Sequence, residues 1–204
     1  MLRIAAGAIC GIAAGAITGI AARVAMRMVA DGVPDAIRSL PMFTAEGTAT
    51  IVGLGALAGA PFGALFALAY DALAGPHRAR GILFGVAMLL TLAPLFFTGA
   101  RDEFITYERM VLFAFLFPLF GVAAGLLFEP SLRIARRVPA AVHAVLALIA
   151  LGGGVLVASG ISGFAVQAVQ THGALAAAYA VPWLVVGVLV GWTLRSRERP
   201  LARA

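Results

Sequence analysis

The chain has 204 residues, 62% of them apolar and only 12% charged, with a mean hydropathy of +1.02. Soluble domains carry roughly 25% charged residues, so this composition points to an integral membrane protein and against a water-soluble globular fold. The net charge of +6 comes from fifteen basic residues, all arginine, against nine acids; they are dispersed at the ends of apolar runs and form no basic face, which argues against nucleic acid and for anionic lipid headgroups.

In chain order, the first apolar run predicts a spanning helix over 4–30. It is too long for the h-region of a signal peptide, which is roughly 7 to 15 residues. A connection with Asp31, Gly32, Pro34, Asp35 and Pro41 follows, whose middle, 34–40, suits a short interfacial helix. Thr44 and Glu46 then mark a helix start, because a hydroxyl can cap free amides and a carboxylate suits the positive end of the helix. The second predicted span covers 47–72, the third 80–99, the fourth 107–128, the fifth 139–166 and the sixth 174–194. Pro130 closes the fourth, and Gly152-Gly153-Gly154 is expected to bend or loosen the fifth. The expected fold is all-α: a single polytopic domain over 1–204, of about six transmembrane helices packed through Gly-xxx-Gly faces.

Those faces are clearest in the first two spans. Gly7, Gly11, Gly15 and Gly19 recur every fourth residue, and Gly55, Gly59 and Gly63 repeat the spacing. Residues four apart form one ridge on a helix, and a glycine ridge lets another backbone approach where side chains would block it. The two ladders are therefore expected to be helix-packing surfaces for each other. A weaker pattern relates Phe62-Gly63 through Tyr70-Asp71 to Phe120-Gly121 through Phe128-Glu129 at an offset of 58 residues. It would be a repeat of same-direction helices, unlike the inverted repeats of many transporters.

Ten of the fifteen arginines fall on the side that holds both termini. The positive-inside rule then puts both termini in the cytoplasm, with a bacterial cytoplasmic membrane as the expected location.

Charges near span ends are the candidate polar sites. Arg23, Arg27 and Glu46 meet at the predicted outer edge, with Glu46 expected to pair with one of the arginines; Asp71 and Glu129 meet at the inner edge. Either set suits interfacial ion pairing, or a headgroup, anion or proton site. No catalytic constellation is expected. Gly160-Ile161-Ser162-Gly163 resembles the G-x-S-G nucleophile turn of rhomboid intramembrane proteases, but the last predicted span lacks the histidine base that the chemistry requires. The single cysteine, Cys10, allows no internal disulfide or cysteine metal cluster. His77, His143 and His172 fall at no matched mid-membrane depth, so no metal, haem or other cofactor is expected. The reading is a non-enzymatic multi-pass membrane protein that associates with itself, a membrane partner or lipids through small-residue faces. A small-solute or ion transporter and a lipid-modifying enzyme are the alternatives.

Overall fold

The computed structural model describes residues 1–30, 44–99, 107–173 and 178. The predicted sixth span, apart from residue 178, and the predicted interfacial helix at 34–40 lie outside them. The described residues form α1 (Leu2–Ala30), α2 (Ala45–Ala69), α3 (His77–Gly99), α4 (Tyr107–Ala114), α5 (Leu116–Ala135) and α6 (Ala140–His172). With α4 and α5 counted as one segment, five helices among the described residues are long and apolar enough to cross a membrane.

Local chemistry explains several boundaries. The Thr44 hydroxyl accepts the Gly47 amide at 3.1 Å and opens α2, as the sequence indicates. Helix α4 is interrupted at Phe115 because Pro118, four residues after Ala114, has no amide to offer the Ala114 carbonyl. Pro130, expected to end the fourth span, lies inside α5, which continues to Ala135. One missing hydrogen bond does not end a helix whose neighbours hold it on both sides of the gap. The glycine triplet likewise sits within an unbroken α6.

In cross-section α1 lies between α2 and α5, α5 lies between α1 and α3, and α6 packs across α1, α2 and α3. The α1–α2 crossing is built backbone on backbone. A Cβ on Gly7 would come within 3.0 Å of the Gly63 carbonyl oxygen, one on Gly11 of that of Gly59, and one on Gly15 of that of Gly55. Each relation is reciprocal, so in three successive antiparallel steps a glycine hydrogen points at the carbonyl across from it. Such Cα–H···O contacts contribute about 0.5–1 kcal/mol each, and they need no side chain. Between α3 and α5, Gly81 and Gly121 make the same reciprocal contact, while Gly85 faces the Phe117 carbonyl and Gly125 that of His77.

Helix α6 docks through Gly153, against the Leu57 carbonyl and the Pro61 ring of α2. Pro61 leaves that same carbonyl, four residues earlier, without its intrahelical donor. A glycine on α6 lets the Cα hydrogen fill the place. The largest buried side chains, Phe66 and Phe128, meet edge to face at 5.6 Å, and with Cys10, Phe120 and the alanines of α1 they fill the centre toward the Arg3 end. Residues related by the 58-residue offset also touch: Phe62 with Phe120 at 6.3 Å and Tyr70 with Phe128 at 4.5 Å.

Candidate functional sites at the two ends of the bundle

The hairpin turns bring two sets of polar side chains together, one at each end. At the Arg3 end, the first residues of α1 meet the last of α2, and Arg3 binds Asp71 at 2.5 Å. Both groups are open to solvent, with side-chain exposures of 59% and 32%, so the pair is screened and weak. Beside it, the Tyr70 hydroxyl hydrogen-bonds Nδ1 of His77, and Glu129 lies 4.0 Å from the same nitrogen. That nitrogen either accepts the tyrosine proton or carries its own proton toward the carboxylate. Arg80 stacks its guanidinium 4.5 Å over the Tyr70 ring. Asp71 and Glu129 thus sit at the same end but on different cations, Arg3 and His77. The histidine that joins the second group is the first residue of α3, which starts ahead of the third span expected over 80–99.

His143, near the start of α6, contributes to neither carboxylate. Its Nε2 bonds the Ala135 carbonyl at 2.7 Å and closes the end of α5, where free carbonyls favour a donor.

At the opposite end the expected trio separates. Arg23 is buried, with 4% of its surface exposed, whereas Arg27 and Glu46 are exposed. Glu46 takes part in no ion pair among the described residues. The guanidinium of Arg23 lies instead over the first turn of α2: its Nη2 is 3.3 Å from the point a Cβ on Gly47 would occupy, beside the capping Thr44. Gly47 gives the arginine its seat.

A residue that sequence reasoning passed over joins this end. Arg109, on the first turn of α4, is 8% exposed and is the buried residue of that helix. The available signal was its spacing. Phe113 and Phe117 follow at steps of four, so Arg109 continues an aromatic ridge rather than a solvated face.

Below these arginines lies a cavity of about 460 Å³, walled by α1 (Thr18, Gly19, Ala22), α2 (Ile51, Gly55, Ala58), Met88 and Phe96 of α3, and Phe113 to Phe120 of α4 and α5. A second, of about 270 Å³, lies across Phe62, Phe96 and Phe117 and is closed by Ile161 and Phe164 of α6. Both are lined by hydrocarbon, which suits an apolar occupant and not a hydrated ion.

Ser162, in the segment that resembles the rhomboid turn, lies mid-helix in α6 and donates to its own Ala158 carbonyl at 2.8 Å. His143 is nineteen residues away along the same helix, roughly 28 Å at helical rise. No three metal-ligating side chains converge among the described residues. Comparisons with family models, with curated proteins and with solved structures find no match for the chain.

Proposed function

We propose that the chain is a non-enzymatic, multi-pass protein of a bacterial cytoplasmic membrane that associates with a second copy or a membrane partner through a small-residue helix face. One observation carries the reading: a small-residue face is left over. The glycines of α1, α2, α3 and α5 described above are taken up in contacts within the chain. On α6, by contrast, Gly152, Ser159 and Gly163 share one face with Val145, Leu148 and Val166, all exposed, and nothing lies within 4 Å of a Cβ added at Gly152 or Gly163. The serine hydroxyl is satisfied by its own helix, through the Val155 carbonyl at 3.0 Å, so it does not demand water. A face with small residues at steps of seven and four is how helices associate in lipid, where no hydrophobic force drives them together. Lipids would cover the rest of the apolar surface, and no nucleic acid is involved.

Native mass spectrometry of gently extracted protein tests this. The wild type should run as a stoichiometric assembly, and Gly163→Leu and Gly152→Leu should shift it to a single chain. A wild type that is already a lone chain would remove the proposal and move weight to solute transport.

Both termini inside is the accompanying topology, resting on the arginine distribution. With Cys10 replaced, an impermeant thiol reagent on intact cells should spare a cysteine at exposed Arg136 and label one at exposed His172. The reverse pattern would overturn the orientation.

A further inference from the structure

We propose that His77 is a proton-operated clasp: when neutral it ties the start of α3 to Tyr70 of α2, and when protonated it ties the start of α3 to Glu129 of α5. The inference goes beyond the association proposed above and does not depend on it.

The two glycine hairpins carry a closing pair at the same place. Arg3 stands four residues before Gly7, and His77 four before Gly81; Asp71 stands eight after Gly63, and Glu129 eight after Gly121. Gly7 with Gly63, and Gly81 with Gly121, are the reciprocal contacts that begin each crossing. Beyond them Arg3 meets Asp71 at 2.5 Å, and Nδ1 of His77 lies 4.0 Å from Glu129. The first hairpin is thus closed by a guanidinium, a group that keeps its charge at every physiological pH. The second has an imidazole in that position, the side chain whose charge ordinarily changes between about pH 5 and 8.

Tyr70 gives the difference a consequence. Its ring is buried against Phe66 and Phe128 and stacked on His77, and its hydroxyl bonds the same Nδ1 that faces Glu129. A buried phenol needs an acceptor for its proton, and a neutral imidazole with its own proton on Nε2 supplies one. A proton taken from solvent onto Nδ1 removes that acceptor and creates a charged donor, which pairs with a carboxylate in preference to a neutral hydroxyl. The bond then moves from one between the hairpins to one within the second.

The surrounding charges set the sign. On α3, Arg78, Arg80 and the amide end of the helix oppose a cation at His77, as does Arg133 of α5, one turn past Glu129. Arg3 of α1 is engaged with Asp71 of α2, and His143 of α6 with the Ala135 carbonyl. Glu129 is the group that favours the imidazolium. The His77 and Glu129 side chains are 56% and 43% exposed, so solvent protons reach the site and the ion pair is screened.

The test is thermal unfolding of the full chain in neutral detergent at about pH 5.5 and pH 8, with nitrogen-15 histidine NMR on the same samples. Glu129→Gln should lower the unfolding temperature by about 2 °C at the acid pH and leave it unchanged at the other. Tyr70→Phe should do the reverse, with a loss of about 2 °C at pH 8 alone. In His77→Arg, which gives the second hairpin the kind of cation the first one has, Glu129→Gln should cost the same at both pH values. At pH 8 the wild-type His77 imidazole, identified by the signal lost in His77→Gln, should carry its proton on Nε2. A proton on Nδ1 at pH 8 would overturn the proposal whether or not the other variants fold. So would a loss from Glu129→Gln or Tyr70→Phe that is equal at the two pH values, which would mark a fixed contact and not a clasp.

Discussion

The two glycine-lined crossings, α1 on α2 and α3 on α5, begin alike and end differently. Each places a glycine hydrogen against a carbonyl reciprocally, at Gly7 and Gly63 in one and at Gly81 and Gly121 in the other. Along α1 and α2 the step repeats twice more, through Gly11 with Gly59 and Gly15 with Gly55. Along α3 and α5 the next step pairs Gly85 with Phe117, beside the break at Phe115, and beyond it α3 carries Met88 and Phe96. Where both positions are glycine the backbones stay in contact. Where Gly85 meets Phe117 they still touch, a Cβ on Gly85 lying 2.7 Å from the Phe117 carbonyl oxygen, and the 460 Å³ cavity opens beyond that step, alongside Met88, Phe96 and Phe113. The cavity thus lies where the α3–α5 glycine series has ended.

The largest expected effect tests the longer ladder. A Cβ on Gly11 would collide with the Gly59 carbonyl and approach the Gly63 Cα to 2.8 Å, and backbone cannot move aside as a side chain can. Gly11→Ala should destabilise by about 3 kcal/mol in detergent unfolding. Gly53→Ala, where nothing lies within 4 Å, should be neutral or stabilise by up to about 1 kcal/mol through helix propensity. Equal losses would mean the ladder is not the load on which the crossing rests.

In the shorter ladder the same change at Gly85 meets its nearest atom, the Phe117 carbonyl oxygen, at 2.7 Å, close to a segment already interrupted at Phe115. Gly85→Ala should therefore cost less, about 1–2 kcal/mol. A loss as large as at Gly11 would show the two crossings to be equally rigid and remove the contrast.

The smallest effect belongs to the ends. Arg3 and Asp71 hold the start of the first hairpin to its finish, but both are solvent-exposed, so Asp71→Asn should cost about 0–1 kcal/mol and fade with added salt. A salt-independent loss several times larger would place this pair inside the packing, beside the ladders, rather than at its margin.

The sequence by itself determined the helical segments, their apolar character and several of their ends. Thr44 stops the chain from entering the helix earlier because its own side chain takes the Gly47 amide, an event within one turn. The starts of α3 and α6 lie within a few residues of the expected positions for similarly local reasons. Only the tertiary structure decided that Pro130 lies within a helix, that His77 links Tyr70 to Glu129, and that Arg23 and Arg109 are buried while Arg27 is not. The physical reason is the composition. In a water-soluble helix an apolar stripe marks the side that faces the core, but these helices are apolar all round, so periodicity does not say which side meets a neighbour. Capping, proline and helix length act through hydrogen bonds a few residues long and can be read locally. Facing is set by where remote backbones fit closest, and the glycines marked possible places for that without saying which carbonyl each would meet.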